Sequence, residues 1–164
     1  VEGADRVILP GVGTAHAAMA TLEAQGLIPT IQALTQPVLG ICLGLQLLFD
    51  VSTEGDQQTP CLGVIPGQVD RLPSTPDHRL PHMGWNQLKW QQTDPIGQYV
   101  NDEDWYYFVH SYAVDATNTA NIASASHGAS FAAVVRHQNF VACQFHPEKS
   151  ADSGLRLLKG FLET

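Results

Sequence analysis

The sequence has few positive charges, few cysteines and no long apolar run. Eight Lys and Arg residues stand against sixteen Asp and Glu, so a nucleic-acid partner is not expected. No run of about 18 apolar residues occurs, so no membrane span is expected. The three cysteines have no CxxC spacing, which argues against a disulfide framework and against a zinc site. No signal-peptide pattern is visible, and these absences together predict a cytoplasmic protein.

What the sequence does contain is the composition of an ordinary globular domain. Hydrophobic residues make up 44% of the 164 positions and charged residues 15%. A chain of this length can bury one core, so we predict a single domain over residues 1–164.

The most informative stretch is PVLGICLGLQLLFD, residues 37–50. It predicts a short buried strand, a tight turn carrying Cys42 between two glycines, and a helix whose apolar face includes Leu45, Leu48 and Phe49. This is the geometry of a nucleophile elbow, with sulfur in place of oxygen. A helix N-terminus would lower the pKa of the thiol. The alternative is that Cys42 is a small buried hydrophobe.

A second informative stretch, FHPE at residues 145–148, ends a predicted strand. His146 and Glu148 are two residues apart, and Pro147 biases His146 towards extended geometry, so both side chains can face one cleft. A histidine with a carboxylate beside it is a candidate general base with its orienting group. A surface His–Glu pair is the alternative reading.

A glycine-rich turn, PGVG at residues 10–13, separates a short strand from an alanine-rich helix that begins after Thr14 and ends near Gly26. The spacing matches neither the Rossmann nor the P-loop motif. The N–H groups of Val12 and Gly13 could stabilise an anion, or the segment could be a plain connection.

The remaining segments are predicted from composition and spacing. We expect polar loops at 51–60 and 73–80, and strand-like pieces within 62–72. We also expect PHMGWN to lead into a strand at 87–90, a long strand at 105–114, and three further strands at 122–127, 131–137 and 140–145. Short and amphipathic helices are expected at 28–35 and 151–162, respectively. His78, His82, Cys61 and Cys143 are read as non-ligands, so neither a metal nor another cofactor is predicted.

GICLGLQLL followed downstream by FHPEKS resembles the class I (triad) glutamine amidotransferases. PGVG, PHMGWN and YFVHSY narrow the resemblance to the glutaminase subunits that serve imidazole glycerol phosphate synthase in histidine biosynthesis. The similarity runs from Leu9 to the C-terminal helix. It implies an α/β fold of three layers, with a flavodoxin-like, mostly parallel central sheet flanked by helices and an added antiparallel region.

The resemblance also implies the chemistry. Glutamine would be hydrolysed to glutamate and ammonia through a thioester, and the catalytic residues would be Cys42, His146 and Glu148. Other roles follow by resemblance. The oxyanion would be met by backbone N–H groups of Leu43 and of the Gly11–Val12–Gly13 turn, and the amino-acid end of the substrate would be held by Gln46, Ser111 and Tyr112.

By the same resemblance the ammonia passes to a (β/α)8 barrel subunit, and glutaminase activity is weak until that partner binds its ligand. Trp85, Tyr107 and Lys149 are predicted to face the partner. Members of the family begin with a strand, a helix and a second strand ahead of the strand that leads into PGVG, so we expect a βαβ unit of about 30 residues to be missing from this sequence. Three alternatives are a subunit for anthranilate or guanylate synthesis, a stand-alone cysteine γ-glutamyl hydrolase, and a catalytically silent module of flavodoxin-like shape.

Overall fold

The structure is a computed structural model of the chain, and it describes Val1, residues 3–55 and residues 58–164. The α-helices are α1 (Ala15–Ala24), α2 (Ile28–Gln32), α3 (Leu43–Leu47) and α4 (Ala151–Leu162). The strands are β1 (Val7–Leu9), β2 (Val38–Ile41), β3 (Phe49–Ser52), β4 (Thr59–Pro60), β5 (Ile65–Arg71), β6 (His82–Gln87), β7 (Lys89–Trp90), β8 (Trp105–His110), β9 (Tyr112–Val114), β10 (Asn121–His127), β11 (Ala129–His137) and β12 (Phe140–Cys143).

The central sheet has the strand order β1-β2-β12-β11-β10-β7. β2 pairs in parallel with β1 on one side and with β12 on the other, while the strands beyond β12 are antiparallel. The register places Ile41, the last residue of β2, beside Cys143, the last residue of β12. The residues that follow these two strands therefore meet at one edge of the sheet, as the carboxyl ends of parallel strands do.

Helices and further strands cover both faces of this sheet, which is why its central strands are apolar on both sides. In β2, Val38 packs into the core beneath α1, α2 and α3, whereas Leu39 packs into the opposite core with α4. Ala142 and Val141 of β12 divide between the two cores in the same way. This layered arrangement confirms the predicted α/β class. The central sheet is not mostly parallel in the described part of the chain, because the β1–β2 and β2–β12 pairs are parallel and the other three pairs are antiparallel.

Two smaller sheets complete the described fold. One has the order β4-β3-β5-β9, and the other is the antiparallel ribbon of β6 and β8. Ser150 joins the ribbon to the end of the central sheet, because its hydroxyl accepts from the Tyr107 N–H at 2.9 Å and donates to the His146 carbonyl at 2.6 Å. The ribbon is thus fixed next to the segment that follows β12.

Several predicted elements are confirmed. The helix after Thr14 begins there, with the Thr14 hydroxyl accepting from the Ala17 N–H, and Gly26 follows its end at a φ of 65°. The C-terminal helix covers residues 151–162 as predicted. The three late strands and the loop at 73–80 also occur where the sequence placed them.

Other predictions were wrong in extent. The helix after Cys42 ends at Leu47, and Phe49 begins β3 instead of continuing the helical face. The predicted loop at 51–60 contains the end of β3 and all of β4, and its positions Asp56 and Gln57 lie outside the described residues. The strand-like pieces within 62–72 form one strand, β5, although Pro66 and Gly67 lie inside it.

The PHMGWN motif was expected to lead into a strand, but five of its residues, from His82 to Asn86, form most of β6 themselves. The long strand predicted at 105–114 is interrupted at Ser111: β8 pairs with β6, and β9 pairs with β5 in another sheet. Ser111 therefore lies where the chain crosses from one sheet to the next.

Candidate active site

The candidate nucleophile Cys42 lies on the sharp turn between β2 and α3. Its φ is 53° and its ψ −108°, a conformation that residues with a side chain rarely adopt. Its N–H donates to the Cys143 carbonyl at 2.8 Å, which ties the turn to β12. Gly44 is required as well, because a Cβ there would lie 1.8 Å from the Leu9 carbonyl oxygen. The predicted strand–turn–helix elbow is confirmed, and it is held by close backbone contacts.

The candidate base His146 follows β12 and is buried, with Glu148 beside it. His146 Nδ1 lies 2.7 Å from Glu148 Oε1. Because an ionised carboxylate only accepts hydrogen bonds, this contact puts the imidazole proton on Nδ1 and leaves the Nε2 lone pair free. His146 is also fixed through its backbone, whose N–H donates to the Tyr107 carbonyl at 2.9 Å. The ring is therefore oriented as a proton acceptor.

A cavity of about 380 Å³ brings the predicted site residues together. This volume lies within the range of about 300–1,000 Å³ that is typical of small-molecule sites. The predicted residues that line it are Val12, Gly13, Cys42, Leu43, Gln46, Ser111, Tyr112, His146 and Lys149. Residues separated by up to about 140 positions in the chain, from Val12 to Lys149, thus surround one space large enough for an amino acid.

The glycine-rich turn borders this cavity next to the elbow. Gly11 packs against the elbow itself, since a Cβ at this position would lie 2.9 Å from the Leu43 Cβ. Gly13 is different, because it has a φ of 94° and open space where its Cβ would be. Val12 between them is exposed. Glycine is thus favoured at the two positions for different reasons: a close contact leaves no room for a Cβ at position 11, and the positive φ disfavours a side chain at position 13.

The thiol does not have the lowered pKa that its position before a helix predicted. Burial raises the pKa of Cys42 to about 11, and the nearby Glu148 carboxylate also raises it. Hydrogen bonding by the Leu43 N–H and by the Gln144 amide lowers it in part. Desolvation outweighs these donors, so Cys42 is a thiol at neutral pH.

The structure adds two site residues that the sequence reasoning did not single out. Glu54 lines the cavity, and its Oε2 accepts from the Ala15 N–H at 2.8 Å at the start of α1. Gln144 is fully buried, and its amide lies between Gln46 and Cys42. A polar residue inside the apolar strand that precedes FHPE was the available signal for Gln144. Glu54 lay in a segment read as a polar loop and gave none.

A pair of buried histidines supports the wall of the cavity. His110, read from the sequence as a structural residue, lies 2.9 Å through Nδ1 from the Tyr112 carbonyl, to which it donates. Its Nε2 must then accept from His82 Nδ1 at 3.0 Å. Burial lowers the pKa of His82 to about 3 and that of His110 to about 4, so both rings are neutral. Nearby histidines contribute to both lowered pKa values, while the hydrogen bond to the Tyr112 carbonyl partly raises the pKa of His110.

The three residues predicted to face a partner lie together at the surface. Trp85 and Tyr107 are opposite each other in the β6–β8 ribbon, with ring centroids 6.0 Å apart. The Lys149 ammonium lies 6.0 Å from the Tyr107 ring centroid. Trp85 is half exposed. Because Lys149 also lines the cavity, this surface cluster borders the candidate site.

The described residues contain neither a metal-binding cluster nor a membrane-spanning helix. Across residues 3–55 and 58–164, His, Cys, Asp and Glu side chains form no group of three that could hold a metal ion. None of the described helices has the length and apolar character needed to cross a bilayer.

Comparison with known proteins places the chain in a family. The family model "Glutamine amidotransferase class-I" matches residues 2–163. The chain is 51% identical over 162 residues to imidazole glycerol phosphate synthase subunit HisH 2 of Legionella pneumophila (strain Paris), covering 99% of this chain and 80% of that protein. It is 52% identical over 163 residues to subunit HisH of Xylella fastidiosa (strain Temecula1), with the same coverage. A solved glutamine amidotransferase has a similar fold, with a TM-score of 0.71, 21% identity, and coverage of 99% of this chain and 79% of that one.

Proposed function

Because the chain belongs to the class-I glutamine amidotransferase family, we propose that it is the glutaminase subunit of an imidazole glycerol phosphate synthase, with Cys42, His146 and Glu148 as catalytic residues. One observation supports this assignment of residues above the others. Cys42 on its elbow and His146, oriented by Glu148, line one cavity of a size suited to an amino acid.

The proposed reaction hydrolyses the side-chain amide of glutamine. Cys42 Sγ attacks the amide carbon while His146 Nε2 takes the thiol proton, and the imidazolium then gives that proton to the departing ammonia. Water, deprotonated by the same nitrogen, attacks the thioester and releases glutamate and the free thiol. Glu148 keeps the imidazole in the reactive tautomer and stabilises its cation.

The oxyanion of each tetrahedral intermediate needs N–H donors. We assign them to Leu43, which follows the nucleophile at the start of α3, and to the Gly11–Val12–Gly13 turn, whose first glycine packs against Leu43. One such donor is typically worth about 3–4 kcal/mol of barrier. The assignment is supported by the position of Leu43, Val12 and Gly13 on the cavity wall.

The amino-acid end of glutamine is assigned to the opposite part of the cavity. The Gln46 side-chain NH2 group donates to the Tyr112 carbonyl at 2.9 Å and to Gln144 Oε1 at 3.1 Å. The side-chain oxygen of Gln46 therefore remains available as an acceptor. That oxygen and the Glu54 carboxylate suit an ammonium group. We assign the substrate's α-amino group to them, and its remaining contacts to the backbone of Ser111 and Tyr112.

The ammonia acceptor is proposed to be a (β/α)8 barrel subunit that binds the surface cluster of Trp85, Tyr107 and Lys149. Indole and phenol rings are common at the centre of protein interfaces, and this cluster is exposed beside the cavity. The chain is proposed to fold as one domain and to work as one half of a heterodimer in the cytoplasm.

Glutamine turnover tests the proposal. We expect glutamate formation to rise when the barrel subunit and its ligand are added, and Cys42→Ser to abolish it with and without the partner. Cys61→Ser is the matched control, since this cysteine lies outside the cavity and should leave turnover unchanged. Equal turnover with and without the barrel would favour a stand-alone γ-glutamyl hydrolase, and turnover that survives Cys42→Ser would refute the mechanism.

A further inference from the structure

Gln144 lies immediately after β12 and two residues before His146, and its side chain is fully buried. Its Nε2 is 3.8 Å from Cys42 Sγ, and of the described side chains it alone donates a hydrogen bond to that sulfur. Resting on the function proposed above, we propose that Gln144 is a further catalytic residue, whose side-chain N–H stabilises the Cys42 thiolate as the proton leaves for His146.

The orientation of the Gln144 amide follows from its neighbours. The Tyr112 carbonyl can only accept, so the atom of Gln46 that faces it at 2.9 Å must be the nitrogen. That same NH2 group faces Gln144 at 3.1 Å, so the Gln144 atom there must be the oxygen. The nitrogen of Gln144 then has to face Cys42. A backbone carbonyl thus determines, through two amides, that a donor points at the sulfur.

A donor at this position has a direct effect on the thiolate. Cys42 is 8% exposed, so bulk water cannot solvate a negative charge on its sulfur. Hydrogen bonds to the charged form of a buried group favour that form, and Gln144 supplies one that carries no charge of its own. The contact is long at 3.8 Å, and catalytic contacts of this kind shorten when the charge develops.

Gln144 also couples the nucleophile to the substrate contact. Its oxygen accepts from Gln46, the residue assigned to the ammonium end of glutamine. One buried amide therefore holds both Gln46 and the Cys42 sulfur. Met at position 144 loses both contacts at similar volume and adds no charge, whereas Glu keeps an acceptor for Gln46 and puts a carboxylate, which repels a thiolate, in place of the donor to sulfur.

The test is the alkylation rate of each cysteine with iodoacetamide at pH 8, measured by mass spectrometry of the peptides in one sample. Cys42 reports the proposed effect. Cys61 is the internal control, since burial raises the pKa of its thiol to about 11 as well and it lies outside the cavity. Cys143 is fully buried and adjoins Gln144, so its labelling reports loss of local structure.

We expect Gln144→Met to slow the alkylation of Cys42 about three- to tenfold, as the typical net contribution of one hydrogen bond implies, and Gln144→Glu to slow it at least as much because its carboxylate repels the thiolate. Cys61 should react at its original rate and Cys143 should stay unlabelled. The KM for glutamine should rise in Gln144→Met and stay close to its original value in Gln144→Glu, while both variants lose kcat.

An unchanged or faster Cys42 reaction with Cys143 still protected would overturn the proposal. If Cys143 becomes labelled in the Met variant, Gln144→Leu, which is also uncharged, decides by the same criterion; labelling in both would make Gln144 a structural residue and would also overturn it. The outcome is separate from the proposed function. Alkylation needs no glutamine, so Cys42→Ser can abolish turnover whether or not Gln144 affects the thiol.

Discussion

The buried histidine pair makes folding stability depend on pH in a way that can be calculated. His82 and His110 are 4% and 6% exposed. Their rings share one hydrogen bond, in which the proton on His82 Nδ1 is donated to His110 Nε2 at 3.0 Å. Burial lowers the pKa of His82 to about 3 and that of His110 to about 4, each helped by the neighbouring His127. Protonation of either ring would add a charge in the core or place two donors face to face.

The sign follows from comparing folded and unfolded chains. In the unfolded chain both histidines have a pKa near 6.5, so between pH 6.5 and 4 the unfolded state binds protons that the folded state does not. Stability is therefore complete above pH 6.5 and is lost as the pH falls below it. When the pH falls from 7.5 to 5.5, each histidine lowers the free energy of unfolding by about 1.3 kcal/mol, and the pair lowers it by about 2–3 kcal/mol.

The perturbation is the double variant His82→Gln/His110→Gln, which keeps amide hydrogen bonding and cannot titrate. Urea unfolding followed by tryptophan fluorescence at pH 7.5 and 5.5 gives the pH difference within each protein, so any constant destabilisation by the substitutions cancels. We expect the difference to shrink by about 2–3 kcal/mol in the double variant. The exposed His16→Gln serves as the matched control. A double variant that keeps the original pH difference would refute the reasoning.

Three further outcomes are expected. Glu148→Gln should lower kcat for glutamine by about 10²–10⁴ with little change in KM, because an amide no longer fixes the imidazole tautomer or stabilises its cation; an unchanged kcat would remove Glu148 from the mechanism. Gly44→Ala should lower the urea unfolding free energy by about 3 kcal/mol, because its Cβ would collide with the Leu9 carbonyl; wild-type stability would show that the elbow can yield. Gly13→Ala should reduce the activation of glutaminase by the barrel subunit, because the backbone φ of 94° at this position disfavours a side chain although no atom would clash with it. Gly11→Ala is less informative, since its Cβ would also disturb the elbow. An unchanged activation ratio in Gly13→Ala would show that the turn need not adopt a glycine conformation.

The sequence was sufficient for the local parts of the site and insufficient for what joins them. Cys42 on its elbow and the His146–Glu148 contact depend on residues a few positions apart, and both are found as predicted. The parallel pairing of β2 with β12 unites segments about 100 residues apart. Nothing within either strand specifies its partner, so from the residues alone the meeting of the two parts was an expectation only.

The wrong segments have a common physical cause, which is that tertiary contacts override local pattern. PHMGWN contains Gly84 at a φ of 138° and was not read as a strand, yet pairing with β8 makes it one. The apolar pattern around Leu48 and Phe49 fits a helix. Phe49 nevertheless pairs with Ile65 of β5, so α3 ends at Leu47. Each choice is decided by a neighbour that lies far along the chain.

The pKa of Cys42 shows that tertiary contacts also override local pattern in the chemistry of the site. A helix N-terminus favours a thiolate, but α3 has five residues and its dipole is correspondingly small, while removal of the sulfur from water costs more. A thiol with a pKa of about 11 is protonated at rest, so in the proposed mechanism its proton moves to His146 as the sulfur attacks glutamine. The donors assigned to the resulting charges, Leu43, the glycine-rich turn and Gln144, would then control the rate. On this proposal the enzyme stays slow until those donors are aligned, and their alignment is the step we assign to the bound barrel subunit.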